Sequence, residues 1–198
     1  MKQEPLCELL ILGLGNLLCS DDGVGVVAVH RLARGHRLPA GVRALDGGTL
    51  GLSLLPHLQA SRRVILLDAV AAQGAPGSLV RLDGADVATA VAGRLSVHQI
   101  GVADLLEGAR LLDQGPEVLR LLGVVPASTA LGIELTPNVA LAVDALVAMA
   151  VREARGLGFE LPAKSEADGD GACDEERGDG PGDQVDRAFG ITLGMPPV

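Results

Sequence analysis

Leu9 to Leu14 is a continuous apolar run ending in glycine, which predicts a strand buried on both faces. From Val24 the period changes. Val27, Ala28 and Leu32 recur at helical spacing, and the stripe stops at Gly35. Val42 to Leu45 predicts a second strand, closed by Asp46-Gly47-Gly48, and Leu50 to Leu58 a short helix. Arg63 to Leu67, cored by Val64-Ile65-Leu66-Leu67, predicts a third buried strand ending at Asp68. Leu79 to Leu82 and Val118 to Val125 read as further strands, with an amphipathic helix over Val102 to Leu112 between them. In the last helix Thr136 can serve as the cap, and Pro137 supplies a first position where a missing N–H costs nothing. Val139, Val143, Leu146, Val147, Ala150 and Val151 then share one face.

Buried strands alternating with helices predict a single three-layer α/β domain, its mostly parallel sheet flanked by helices. In such sheets ligands bind beyond the carboxyl ends of the strands, at a topological switch point. If the strand order begins 2-1-3, the loops after the first and third strands flank that crevice. Asp22 and Asp68 then face one another.

Composition changes this picture at one end of the chain. The 198 residues are 48% hydrophobic and 21% charged, a globular balance. Residues before Lys164 hold 16 acids and 13 bases, net −3, whereas those from Lys164 onward hold 9 and 3, net −6 of a total −9. Ala167 to Gly182 has almost nothing apolar to offset its ordering entropy. The expected organisation is therefore an α/β domain over residues 1–162 and an acidic, Gly-rich, disordered tail over 163–198, with the boundary near Leu161-Pro162.

The acidic balance and a near-absence of aromatics (Phe159 and Phe189, no Trp, no Tyr) argue against nucleic acid as a partner. Cys7, Cys19 and Cys173 are odd in number and lack C-x-x-C spacing, which fits a reducing cytoplasm rather than a disulfide framework or a zinc knuckle. The N-terminus has no signal-peptide pattern, and no apolar run is long enough for membrane insertion.

Several chemistries are excluded. The turn Gly13-Leu14-Gly15-Asn16-Leu17-Leu18 lacks the third glycine of a dinucleotide fingerprint and runs into Asp21-Asp22, where a pyrophosphate needs positive potential. The only lysines are Lys2 and Lys164, so there is no P-loop, and neither G-x-S-x-G nor H-E-x-x-H occurs. What remains is Asp22 and Asp68 with one histidine: an oxygen-rich metal site with vacant positions, suited to zinc, nickel, iron or manganese. Asp21 reads equally well as an N-cap. Asp68 is harder to account for structurally, since a carboxylate directly after buried strand residues is costly unless partnered. His30 and His36 lie on or just past the first helix, away from the crevice. His57, on the short second helix, and His98, in a loop before a helix, both remain candidates, with loop position favouring His98. Cys19 reads as an inert thiol, and Asn16 as a residue that fixes the turn.

Together these motifs resemble a known family. Gly13-Leu14-Gly15-Asn16-Leu17-Leu18 running into Asp21-Asp22-Gly23-Val24-Gly25 resembles the opening signature of the hydrogenase maturation endopeptidases. Leu45-Asp46-Gly47-Gly48-Thr49, Leu67-Asp68-Ala69, Ser96-Val97-His98-Gln99 and Leu135-Thr136-Pro137 resemble that family's later landmarks, in order from about Leu9 to Val151. The resemblance implies a twisted, mostly parallel sheet between helices. It also implies an aspartyl-type endopeptidase that removes a short C-terminal peptide from the large subunit of a [NiFe]-hydrogenase after nickel insertion. The residues implied to meet the nickel, which the substrate large subunit supplies, are Asp22, Asp68 and His98, and the same three are the expected catalytic residues. Many members carry Glu at the first of these positions, so Asp22 keeps the donor chemistry with a shorter reach. The implied partner is the large-subunit precursor, met by a cytoplasmic monomer. The rival readings are a non-proteolytic nickel-sensing chaperone of that precursor and a general metallopeptidase on the same scaffold.

Overall fold

The computed structural model describes residues 7–84, 86–87, 97–112 and 115–165, with the side chains of residues 97–102 outside that description. Its strands are β1 (Cys7–Leu14), β2 (Val42–Gly48), β3 (Ser61–Ala69), β4 (Leu79–Asp83) and β5 (Val118–Val124). The helices with described bounds are α1 (Val24–Gly35), α2 (Leu55–Gln59), α3 (Val97–Leu111) and α4 (Pro137–Gly156), with 3-10 turns at Ser20–Gly23 and Gly51–Leu54. The strands form one sheet in the order β2-β1-β3-β5-β4. β1, β2, β3 and β5 are parallel, and β4 runs antiparallel to β5 at the edge.

The unbroken apolar runs are explained by helices covering both faces of the central strands. Leu9, Ile11, Ile65, Leu67, Leu122 and Val124 pack with α1 and α4 residues such as Leu32, Val143 and Leu146. The alternate residues Leu10, Leu12, Leu14, Val64, Leu66 and Leu121 pack with Leu54, Leu58 and Leu105. Each fully buried side chain of this size is worth about 1.5–3 kcal/mol relative to exposure. This is the expected three-layer α/β arrangement.

Several boundaries differ from expectation, each for a local reason. β3 continues through Asp68 to Ala69, because Asp68 and Ala69 still pair with Gly123 and Val124 of β5. β2 likewise runs past Leu45 to Gly48, accommodated by a register shift opposite Gly13 and Leu14. The expected helix over Leu50 to Leu58 is split, a 3-10 turn followed by α2, with Pro56 at the start of α2. α3 begins at Val97 rather than Val102. Thr136 does occupy the N-cap position of α4, but its side chain makes no capping bond there.

Phe159 and Leu161 pack against the α1–α4 core. His36 forms an isolated antiparallel bridge with Ala163, and the Lys164 N–H donates to Gly35 O at 2.8 Å. The acidic segment from residue 166 onward, including Cys173, lies outside the described residues. No helix among the described residues is long and apolar enough to cross a membrane.

Candidate functional site

The observed order contains the expected 2-1-3 arrangement. The chain leaves β1 for β2 on one side and crosses back to β3 on the other, so the switch point lies between the carboxyl ends of β1 and β3. Gly13 pairs with Leu67, which sets Asp68 abreast of Leu14, the last residue of β1. The 3-10 turn Ser20–Gly23 carries Asp21 and Asp22 at the same end of the sheet. Asp22 is 3% exposed and Asp68 1%.

Two glycines make this closeness possible. Gly15 has φ of 127°, and a Cβ there would lie 1.8 Å from the backbone oxygen of Asp22. Gly25, in the first turn of α1, would direct a Cβ to 2.1 Å from Leu67 O and 2.5 Å from Leu14 O. Only a residue without a side chain lets α1 start directly on the two strand ends that frame the site.

Hydrogen bonds hold each acidic side chain in a defined place. The Asn16 N–H donates to Asp22 Oδ2 at 3.0 Å, while Asn16 Oδ1 accepts the Leu18 N–H at 3.0 Å and closes the turn, as expected for Asn16. Asp68 Oδ1 accepts the N–H of Ala69 at 2.8 Å. Asp21 is fully buried and does not cap α1, whose N-cap is Gly23. Its Oδ2 accepts the N–H groups of Ala127 (2.8 Å) and Ser128 (3.0 Å) and the Thr136 hydroxyl (2.9 Å), and its Oδ1 accepts the Thr136 N–H (2.7 Å). Burial pushes the Asp21 carboxyl up, but the bonds from Thr136, Ser128 and Ala127 outweigh it and hold the group below the usual aspartate range. Asp21 is thus an ionised anchor between the first loop and the loop after β5.

That anchor is what sequence reasoning missed. A signal existed in the two adjacent acids, since a pair buried at a turn needs donors for both. The donors themselves come from more than 100 residues away, as the Asp21–Thr136 spacing of 115 records.

The histidines separate. His30 is exposed on α1, and its Nε2 lies 2.8 Å from Asp46 Oδ2, a pairing the sequence did not suggest. His57 lies on α2, where its carbonyl accepts the Ser61 hydroxyl at 2.7 Å. His98 is the second residue of α3, not a loop residue, because the helix starts five positions earlier than its apolar pattern implies. Its side chain lies outside the described residues. Among the described residues no three His, Cys, Asp or Glu side chains converge as a metal site. Cys19, in the first loop, is a free thiol. The arrangement therefore offers two carboxylates screened from water, Asp68 at the end of β3 and Asp22 in the turn after β1, able to bind a cation or exchange a proton with a substrate that reaches them.

Comparison with known proteins identifies the family of the chain. Residues 26–153 match the family model described as HycI: hydrogenase maturation protease, a span that contains Asp68 and His98 and starts just after Asp22. The chain is 42% identical over 156 residues to the hydrogenase expression/formation protein HupD of Rhodobacter capsulatus, covering 78% of this chain and 74% of that protein. It is 35% identical over 154 residues to the hydrogenase 2 maturation protease of Escherichia coli, covering 77% of this chain and 94% of that one. The solved structure of the hydrogenase maturating endopeptidase HybD from E. coli superposes with a TM-score of 0.76 at 34% identity, covering 79% of this chain and 98% of that chain.

Proposed function

This chain belongs to the hydrogenase maturation protease family and is a peptidase, and on that premise we propose that it removes a C-terminal peptide from the nickel-loaded large subunit of a [NiFe]-hydrogenase. In this reading Asp22, Asp68 and His98 meet the nickel that the large subunit brings. The observation that carries it is the burial of Asp68 at the end of β3 and of Asp22 in the turn that follows β1, on the side of the sheet's switch point.

The donor chemistry supports the assignment. Two carboxylates and an imidazole suit a borderline divalent ion such as nickel, and leave positions for the ligands the substrate already provides. Nickel is here part of the substrate, so the precursor becomes a good ligand only once it is loaded. When it docks, the scissile peptide lies beside Asp22 and Asp68. One of these carboxylates takes a proton from a water molecule as the water oxygen attacks the scissile carbonyl. The same proton then passes to the leaving amine as the C–N bond breaks, so the carboxylate is regenerated. This is hydrolysis of the aspartyl type. Exclusion of solvent from both carboxylates strengthens their interaction with a cation. The enzyme acts as a monomer in the cytoplasm, where the precursor is assembled.

The test is incubation of the full chain with nickel-loaded and nickel-free large-subunit precursor, followed by intact mass measurement. Loss of a short C-terminal peptide from the loaded form alone is expected. Binding to a precursor that stays whole would overturn the proteolytic reading. Cleavage of nickel-free precursor and of unrelated peptides would overturn the nickel requirement.

A further inference from the structure

The loop that carries Asp22 is fastened to a distant part of the chain. Ser20 N–H donates to Gly132 O at 2.7 Å, Gly132 N–H to Leu18 O at 3.0 Å, and Asp21 N–H to Ser128 O at 3.1 Å. Cys19 and Gly132 form an isolated parallel bridge. Within this stretch Ser20 has φ of 48°, the one non-glycine residue with positive φ among the described residues. Backbone in that region persists where its surroundings over-determine it. The last fastening before Asp22 is the Asp21 side chain, with four hydrogen bonds to Ala127, Ser128 and Thr136. Thr136 turns its hydroxyl to Asp21 instead of capping α4.

We propose that Asp21 is a positioning residue for the reaction: by locking the 16–22 loop to the loop after β5 and the start of α4, it holds Asp22 in its orientation at the strand ends. All four acceptor bonds of Asp21 go to residues 127–136, in the loop after β5 and at the start of α4. Its neighbour Asp22 accepts the Asn16 N–H from within the first loop. A chain clamped at Asp21 fixes the backbone from which the Asp22 side chain departs. The catalytic consequence rests on the reading of Asp22 given above; the orientation of Asp22 does not.

Two readouts on the full chain separate these. The first is amide hydrogen exchange in the free protein, comparing wild type with Asp21→Asn, which keeps one acceptor oxygen and puts an NH2 group against donors. Exchange rises at the amides facing the new NH2 group, either Ala127 and Ser128 on the Oδ2 side or Thr136 on the Oδ1 side, because their acceptor is lost. The decisive amide is that of Asn16, bonded to Asp22 and not to Asp21; its protection is expected to fall about tenfold or more. If Asn16 stays protected while amides of the 127–136 segment open, Asp21 merely anchors that segment and the proposal is overturned. The second readout is precursor processing, where kcat falls about 10–100-fold with KM little changed, as expected for a misplaced reacting group. Unchanged kcat in a folded Asp21→Asn enzyme also overturns it. Should Asp21→Asn not fold, Thr136→Val removes one hydroxyl and carries the same two readouts at smaller amplitude, while Thr136→Ser restores both. If wild type processes no precursor, the functional reading falls, and the Asn16 amide still decides the role of Asp21.

Discussion

Asp21 and Asp22 are chemically identical neighbours, yet the fold gives them different partners. Asp21 has four donors directed at it and stays ionised as an anchor. Asp22 accepts the Asn16 N–H within the first loop and, in the proposed reading, serves the site with Asp68. The clearest residue-scale prediction concerns Asp68→Asn. Its Oδ1 accepts a backbone N–H, a bond that Asn also makes, so the fold is retained. Processing of nickel-loaded precursor is expected to fall about 10²–10⁴-fold, the usual contribution of a positioned acid–base group. His98→Ala should abolish processing with an unchanged circular dichroism spectrum. Full activity in both variants would remove the site assignment.

At the scale of elements, the contact between α1 and the ends of β1 and β3 governs the site. Gly25→Ala places a Cβ against two backbone carbonyls, which cannot rotate aside. We expect a loss of about 1–3 kcal/mol in urea denaturation, the typical cost of overpacking, together with reduced processing because both strand ends shift. Gly35 supplies the control on the same helix. Nothing lies within 4 Å of a Cβ built there. Gly35→Ala should leave stability unchanged or raise it by up to about 1 kcal/mol. Equal destabilisation by both substitutions would mean that helix propensity, not close approach, matters at Gly25. The elements were legible from their apolar periods, but their ends were not. α3 starts early because helix initiation does not depend on the apolar stripe that made its middle visible, and this moved His98 from a loop onto a helix.

At the scale of the molecule, one sheet separates two apolar layers. Leu67 belongs to the α1–α4 layer and Leu105 to the α2–α3 layer, both with no exposed surface. Leu67→Ala and Leu105→Ala are each expected to cost about 2–5 kcal/mol, and each should preserve a single cooperative unfolding transition. Two separate transitions in either variant would show that the layers are independent.

The chain's own pattern determined a great deal. Continuous apolar strands require cover on both faces, and their alternation with helical stripes leaves a parallel α/β sheet as the economical packing. That topology, with acids after the first and third strands, was enough to direct Asp22 and Asp68 toward one switch point. Periodicity carries this information because side-chain direction is a local property of strand and helix. The role of Asp21, the diversion of the Thr136 hydroxyl and the pairing of His30 with Asp46 were decided by tertiary structure alone. Each is a hydrogen bond between residues far apart in sequence, and no local pattern encodes which donor meets which acceptor until the sheet has brought their loops together.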